Sequence, residues 1–446
     1  MKLAATAPST TSTADELSAN AGGLYRWYVV ALLGAIYFVA FVDRLALSLL
    51  VEPIKRDLHV SDTGMGVLFG FSFAATLAVI SIPLARLADG GNRRNLIAVA
   101  VAAWSLLTAL SGLARSFGAL VACRIGLAVG EAGLKPAALS MITDLFPARG
   151  RALPLSVYLT AGIAGAAGSL LVLGAVIHAV TGMPLVHLPG FGDLAPWRTT
   201  LIIIGLPTTL LALLLALTVR EPARATVDAI PASASAAFRY LRDRGRAHFG
   251  FFFAGALMAL LSISATAWYP TFLIRQRGLS PHEIGSLFGT ISIASGVSGS
   301  LLVPLVAHRW AVKRPDALRL VAIAAVVVGA PCFALGAWVS DLMASMLLMG
   351  AAHFCLIGGI NIPAVAVQQA APGRLRSQLA ALYFLGVNLG GLGTGPVLTA
   401  QVAKHFFGGE HGLGPALASL AIVMGPLAVL ALLTVPKPAT PPTRRS

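Results

Sequence analysis

Two acids, Asp43 and Glu131, lie inside stretches of the chain that are otherwise apolar enough to cross a membrane. A charged side chain near the bilayer centre costs about 3 kcal/mol on insertion scales, so such residues are rare and usually lie on an ion or substrate route. Arg124 precedes Glu131 by two helical turns and falls on the same helical face. Carboxylates and a guanidinium held together in an apolar setting are suited to binding and releasing protons.

Proton coupling follows from how these groups affect one another. Burial and a neighbouring guanidinium have opposite effects on the proton affinity of a carboxyl group. A movement that changes the distance between a carboxylate and Arg124 would therefore change how tightly the protein holds a proton. The alternative is a static ion pair that joins two helices. Asp43 favours proton coupling, because its neighbour Arg44 lies about 100° away around the helix and cannot easily neutralise it.

Lys135 follows Glu131 by four residues, a spacing that permits a favourable ion pair within one helix. Either the two charges neutralise each other, or Lys135 offers a positive charge to an anionic substrate. His353 lies deep in an apolar stretch without a second ligand nearby, so we expect no metal site. The sequence has no phosphate-binding loop, nucleophile elbow or two-His metalloprotease pattern. We therefore expect no cofactor and no enzyme activity, with protons as the coupling ion.

Membrane-spanning helices must position these residues. Of the 446 residues, 57% are hydrophobic and only 11% are charged, whereas soluble domains carry about 25% charged residues. At roughly 20 residues per span, this length accommodates about a dozen helices. Runs such as 201–217 lack the alternation of a membrane β-barrel. The sequence thus predicts an all-α membrane protein with twelve transmembrane helices in two six-helix pseudo-repeats.

The positive charge is unevenly distributed. The formal net charge is +15, and most of the 32 Lys and Arg fall in segments that would be cytoplasmic if the amino terminus is cytoplasmic. This is the positive-inside bias. It predicts a multi-pass protein of the cell membrane, inner or plasma, with both termini in the cytoplasm. The expected partners are membrane lipids and a small amphiphilic substrate, not nucleic acid, and we expect a monomer.

The apolar stretches divide the chain into two bundles with flanking segments. The predicted bounds are 1–26 for a disordered cytoplasmic tail, 27–219 for the amino-terminal six-helix bundle, 220–247 for a cytoplasmic linker with a surface helix, 248–435 for the carboxy-terminal six-helix bundle and 436–446 for a cytoplasmic tail.

The two bundles repeat each other in sequence. Ser61, Gly66 and Gly70 recur at one constant offset as Ser280, Gly285 and Gly289, and Pro147, Tyr158 and Gly165 recur at a second as Pro372, Tyr383 and Gly390. Two parallel six-helix repeats with a site at their interface are typical of secondary transporters.

The repeats differ in charge, which bears on the substrate. The positions that correspond to Arg124 and Glu131 in the second half are Met349 and Leu356. A cavity between the halves would be polar on one wall and apolar on the other, which indicates an amphiphilic substrate. The candidate substrate-binding residues are Arg44, Lys135, Phe252, Trp268, Phe354 and Asn361.

The segment ARLADGGNRR, residues 85–94, resembles the signature loop of the major facilitator superfamily. It matches that pattern at Leu87, Ala88, Asp89, Arg93 and Arg94, and departs from it at Ala85, Gly90 and Asn92. In that family the acid caps the eleventh helix, and a loop arginine pairs with an acid that ends the fourth. The resemblance implies that Asp89, Arg93, Arg94 and Asp144 form a cytoplasmic gate.

Within that superfamily, two segments resemble the Spinster family and its bacterial relatives. They are FVDRLALSLLVEPIKRDL on the first helix and RIGLAVGEAGLKPAALSMITDLFP on the fourth. Spinster-type proteins are regarded as proton-linked carriers, and animal members export lysophospholipids or sphingosine phosphate. The resemblance implies that Asp43, Arg124 and Glu131 occupy the coupling positions. Lys135 departs from the family pattern.

The sequence therefore predicts a proton-coupled secondary active transporter that works by alternating access on an amphiphilic organic anion, such as a lysophospholipid or a sphingolipid-like molecule. The alternatives are a proton-coupled carrier of sugar acids or other organic anions, or a multidrug exporter, of the same fold. A non-transporting membrane sensor or an intramembrane enzyme is least favoured, since the sequence shows no nucleophile–base pair or metal cluster.

Overall fold

The computed structural model describes residues 13–147, 150–223, 234–370 and 375–436. Within these residues, twelve helical segments are long and apolar enough to cross a membrane, which confirms the predicted architecture. We number them spans 1 to 12: Gly23–Leu49, Asp62–Ser81, Arg93–Ser111, Phe117–Leu145, Leu153–Thr181, Pro196–Thr218, His248–Arg277, Pro281–Ala311, Ala317–Trp338, Leu342–Val367, Gln378–Phe406 and Gly409–Leu433.

Several spans consist of more than one helical element. The α-helices are Thr13–Leu45, Val51–Leu58, Asp62–Gly66, Ser72–Gly90, Arg93–Ser111, Phe117–Ala132, Leu134–Leu145, Ala152–Thr181, Pro196–Thr218, Ala234–Arg277, Pro281–Ala311, Ala317–Trp338, Leu342–Ala370, Arg376–Val387, Gly395–Phe406 and Leu413–Leu433. Ala46–Leu49 and Gly409–Gly412 are 3₁₀ turns, while Val67–Phe71 and Asn388–Gly393 are π-helical. Two short strands, His187–Leu188 and Gly192–Asp193, pair antiparallel.

Two helices extend beyond the predicted boundaries. The first begins at Thr13, inside the segment predicted as a disordered tail. The helix of span 7 begins at Ala234 and runs without a break to Arg277, so the predicted surface helix and the seventh span form one helix of 44 residues. Residues 234–247 contain no proline, and their single glycine, Gly245, does not interrupt the helix, so the stretch before span 7 continues into the span.

We call the end that holds the connections 50–61, 182–195, 278–280 and 407–412 the distal end. The other end, which holds the turn Gly91–Asn92 and residues 219–223, is the proximal end. The positive-inside bias predicts that the distal end is extracellular.

The two halves, spans 1–6 and spans 7–12, meet in the distal part of the bundle along two glycine-lined seams. In the first, Gly66 of span 2 lies against span 11, where a Cβ atom would come within 2.9 Å of the Pro396 carbonyl oxygen. In the second, Gly285 of span 8 lies against span 5, where a Cβ atom would come within 2.7 Å of the Leu170 carbonyl oxygen and 2.9 Å of the Gly174 Cα. Glycine is required at both positions because the backbones approach too closely for any side chain.

We expect the substitution Gly285→Val to open the second seam. The added side chain would collide with the span 5 backbone only while the distal end is closed, and overpacking of this kind costs about 1–3 kcal/mol. A bias of that size shifts a two-state population by roughly 5- to 150-fold. Spin labels at Thr181 and Ser286, near the distal ends of spans 5 and 8, should move apart.

Gly118→Val is the matched control, because a Cβ atom at Gly118 meets nothing within 4 Å. An unchanged label separation in Gly285→Val would show that the seam tolerates a side chain and does not hold the distal end closed.

Candidate functional site

An ion pair between Arg44 and Glu131 lies at the centre of the site. The Arg44 Nη2 donates to the Glu131 Oε2, and the exposed fractions of the two side chains are 22% and 2%. The guanidinium is held between two rings, with its Cζ 4.8 Å from the Phe41 centroid and 4.6 Å from the Phe73 centroid. Within the described residues, the second oxygen of Glu131 has no hydrogen-bond partner. The acid is therefore buried, while its cationic partner remains within reach of solvent.

Arg124 does not form an ion pair with either acid in this structure. Its Nη1 donates to the backbone carbonyls of Asp43, at 3.1 Å, and of Arg44, at 3.5 Å. The helix of span 1 ends at Leu45, and the last carbonyls of a helix lack partners within it. Arg124 satisfies two of these carbonyls, which leaves Arg44 as the partner of Glu131.

Asp43 is fully buried beside this pair. Neither of its carboxyl oxygens has a partner that meets hydrogen-bond geometry within the described residues. Its electrostatic neighbours are the side chains of Glu131, Arg124 and Trp104. An ionised carboxylate in such a place is costly unless it is paired, so the site holds one acid that is neutralised by an arginine and one that is not.

Lys135 does not form the intrahelical pair with Glu131 that its spacing allowed. The helix that carries Glu131 ends at Ala132, and a new helix begins at Leu134. Lys135 is exposed although it lies within span 4, and its Nζ lies 5.6 Å from the ring centroid of Phe384 on span 11. Because Phe384 belongs to the other half, Lys135 borders a solvent-accessible space between the halves, which we call the central gap.

The aromatic groups nearest the charges were not identified from the sequence. On span 1, Tyr37 lies 5.4 Å from Phe41 and stacks on Tyr158 at 4.9 Å between ring centroids. Tyr37, Phe41 and Arg44 recur at helical spacing, so they share one face of span 1. This spacing was the signal available in the sequence.

The predicted substrate-binding residues of the second half lie away from the charges. Trp268 is fully buried, donates to the Pro396 carbonyl at 2.8 Å and packs on Phe69 at 5.5 Å, so it seals the first seam and does not line the gap. Phe252 packs on Tyr383 at 5.5 Å, within the second half.

The other two predicted residues lie on span 10. Phe354 is partly buried, and its backbone abuts Gly299 of span 8. Asn361 donates to the Ile357 carbonyl of its own helix at 3.4 Å. None of the described contacts of these two residues reaches the charged groups of span 1 or span 4.

The predicted gate residues form a network at the proximal end. Arg93, with 1% of its side chain exposed, donates to Asp144 at 2.5 Å, to Ser140 at 2.7 Å and to Glu221 at 2.7 Å. The pair of Arg93 with Asp144 is the one that the signature loop implied, whereas Glu221, just after span 6, was missed. These contacts tie spans 3, 4 and 6 together within the first half.

The other two predicted gate residues are Arg94 and Asp89. The Arg94 guanidinium donates to Asn95 and to the Val219 carbonyl, again within the first half. The side chain of Asp89 lies outside the part of the chain that the structure describes.

A second charged network, the distal gate, joins the two halves. It consists of Glu52, Lys55 and Asp62 of the first half and Arg275 and Glu410 of the second. Arg275 contacts Asp62 at 2.7 and 2.8 Å and Glu52 at 2.7 Å. Lys55 pairs with Asp62 at 2.7 Å and with Glu410. The sequence offered little signal, because charged residues at the ends of spans are ordinary.

The bundle is closed at the distal end. Among the side chains that the structure describes, every hydrogen bond and ion pair between the halves belongs to the distal gate. His178 and His282 also stack across the second seam, with ring centroids 4.4 Å apart. The central gap, with Lys135 exposed in it, is therefore reached from the proximal end. No three His, Cys, Asp or Glu of the described residues are placed to hold a metal ion.

Known proteins resemble this chain over part or most of its length. The family model of the Major Facilitator Superfamily matches residues 33–394. An MFS-type efflux pump of Mycolicibacterium smegmatis is 30% identical over 404 residues, which cover 89% of this chain and 90% of the pump. Protein spinster homolog 1 of Homo sapiens is 27% identical over 327 residues, 68% of this chain and 58% of that protein. A probable L-galactonate transporter of Escherichia coli is 30% identical over 139 residues, 31% of this chain and 30% of the transporter.

Solved structures share the fold. A bacterial homologue of the human lysosomal transporter Spinster, in an inward-facing and unoccupied conformation, superposes with a TM-score of 0.80 at 23% identity and covers 92% of this chain and 98% of its own. The inward-facing and occupied conformation gives 0.71 at 25% identity and covers 92% and 94%. This chain therefore belongs to the Major Facilitator Superfamily, as a membrane transporter that resembles Spinster.

Proposed function

We propose that this transporter couples the movement of protons to that of an amphiphilic organic anion by alternating access. The observation that carries the proposal is the buried Glu131–Arg44 pair beside Asp43, whose carboxyl oxygens have no partner of hydrogen-bond geometry among the residues that the structure describes. Buried acids that can be neutralised either by a proton or by a mobile cation are the physical requirement for proton-coupled transport.

The charge balance of the site favours an anionic cargo. With both acids ionised, Asp43 and Glu131 contribute two negative charges, and Arg44, Arg124 and Lys135 contribute three positive ones. The sum is +1, and each proton bound raises it by one. A site that becomes more positive when it binds protons holds an anion more tightly, so proton and cargo occupancy are linked.

Arg44 is the residue through which proton binding at Glu131 affects cargo binding. A proton on Glu131 removes the charge that holds the guanidinium, which is already partly exposed and stacked between Phe41 and Phe73. The arginine is then free to contact a cargo anion in the central gap. The aromatic face of span 1 offers the apolar surface that a hydrocarbon or ring system of the cargo needs.

Export of drug-like amphiphiles is the second candidate function. The similarity to the Mycolicibacterium smegmatis efflux pump extends over 89% of this chain and favours it. Both candidates use the same coupling groups and differ in the charge of the cargo, because an anion is attracted by the net positive site and a cation is repelled.

Flux into proteoliposomes tests the proposal. The cargo set is a labelled lysophospholipid with an anionic head group, a labelled sugar acid and a cationic dye, each with and without an imposed pH gradient. We expect gradient-dependent movement of the anionic lipid and none in protein-free liposomes. Gradient-driven movement of the dye alone would assign the chain to drug export. If none of the three cargoes responded to the gradient, the proton-coupled carrier would be rejected.

A further inference from the structure

We propose that Lys135 selects the cargo by charge, binding its anionic group in the central gap, and that Phe384 is the resting partner from which the cargo displaces it. This inference rests on the proposed function and deepens it.

The first support is that, of the three cations of the site, Lys135 has neither an ion pair nor a hydrogen bond to a backbone carbonyl among the described residues. Arg44 is paired with Glu131, and Arg124 donates to backbone carbonyls. Among the described side chains, no carboxylate forms an ion pair with the Lys135 ammonium. A cation inside a membrane span is costly to keep and is usually retained for a function.

The second support is geometric. Lys135 lies just after the helix break between Ala132 and Leu134, and its ammonium lies over the Phe384 ring of the other half. The side chain is exposed, so an incoming anion reaches it from the gap without any rearrangement of the backbone.

The third support is the relative strength of the two contacts. A cation over a phenyl ring at an exposed site is a weak interaction, whereas an ammonium–anion hydrogen bond is a strong one. Lys135 also lies close enough to Arg44 for the two positive charges to repel each other. A bound anion would reduce the repulsion between Lys135 and Arg44 and would replace the Phe384 ring as the partner of the ammonium. We therefore expect the cargo to displace Lys135 from Phe384.

A consequence follows for the transport cycle. The Lys135–Phe384 contact joins span 4 of the first half to span 11 of the second. When the cargo anion binds the Lys135 ammonium, the ammonium leaves the Phe384 ring. The contact between the two halves is then lost, and the anion replaces the ring as the partner of Lys135. The same event that recognises the cargo thus changes how the two halves are connected beside the coupling acids.

Equilibrium binding to the full-length protein in lipid nanodiscs tests the inference. The probes are lysophosphatidylglycerol, which carries an anionic phosphate, and a monoacylglycerol with the same acyl chain, which is uncharged. We expect wild type to prefer the anionic probe. Lys135→Met should weaken binding of that probe by about 10- to 100-fold, the usual consequence of losing a charge-assisted hydrogen bond, and leave the uncharged probe nearly unchanged. Lys135→Arg, which keeps the charge, should retain the preference.

Phe384→Leu separates recognition from packing. If Phe384 is only the resting partner, its removal should leave anion binding unchanged or tighten it a few-fold. If the contact is purely structural, Phe384→Leu and Lys135→Met should weaken both probes to a similar extent, and the inference is overturned. It also fails if Lys135→Met keeps the wild-type preference. Loss of gradient-driven flux in wild type would instead overturn the proposed function, so the two failures are distinguishable.

Discussion

The variant Glu131→Gln is expected to lose proton-driven accumulation of cargo while still exchanging cargo across the membrane. Each unit of an imposed pH gradient supplies about 1.4 kcal/mol per proton, which corresponds to a roughly tenfold concentration ratio. The membrane potential does no net work on a one-to-one pair of proton and anionic cargo, so wild type can concentrate such a cargo by roughly tenfold per pH unit. Glutamine still accepts a hydrogen bond from Arg44 but cannot bind a proton, so the variant should only equilibrate its cargo.

The measurement is the ratio of internal to external cargo in proteoliposomes under an imposed proton gradient, followed by counterflow without a gradient. Asp243→Asn is the matched control, because Asp243 is an exposed acid that pairs with the adjacent Arg242. An accumulation ratio equal to that of wild type in Glu131→Gln would show that Glu131 does not couple, and attention would pass to Asp43.

The variant Arg275→Met is expected to shift the resting conformation toward one that is open at the distal end. Arg275 is 8% exposed and contacts both Asp62 and Glu52. Removal of one partner from a buried charged network costs about 3–5 kcal/mol, because the remaining charges lose their compensation. The cost falls on the closed form alone, since the carboxylates become hydrated when the halves separate. A shift in population of more than roughly 100-fold follows.

The spin-label pair at Thr181 and Ser286 reports this change as a longer distance distribution. Arg242→Met provides the control, since Arg242 is exposed and its described side-chain contact is with its neighbour Asp243. If the Arg275→Met distribution coincides with that of wild type, the distal gate is held by the glycine seams and not by the ion pairs. If the distal end opens in both Arg275→Met and Gly285→Val, the ion pairs of the distal gate and the second glycine seam both stabilise the closed form of the distal end.

Much of the fold could be predicted because its signals are local. Long apolar runs predict spans, and the recurrence of Gly66 and Gly70 as Gly285 and Gly289 indicates the duplication. Where helices end inside the membrane is less apparent. The break between Ala132 and Leu134 is such a case, because the glycine between them, Gly133, is also tolerated inside a continuous helix.

The identities of the site residues were predictable, and their pairing was not. Charged residues in apolar spans are conspicuous, which is why Asp43, Glu131 and Lys135 were found. Whether Glu131 pairs with Arg44 or Arg124 depends on the unpaired carbonyls at the end of the first helix, a tertiary detail. The distal gate was missed because its members lie at span ends.

The two glycine seams have a consequence for the ancestry of the chain. Gly66 and Gly285 hold the same position in the two repeats, and each packs on the fifth helix of the opposite half. In a dimer of two identical half-length proteins, the glycine of each copy would pack on the fifth helix of the other. Both seams would then form by the same contact, as twofold symmetry requires. Joining the two copies in one polypeptide frees them to diverge. One copy carries the acid Glu131, and the other has the apolar Leu356 at that place.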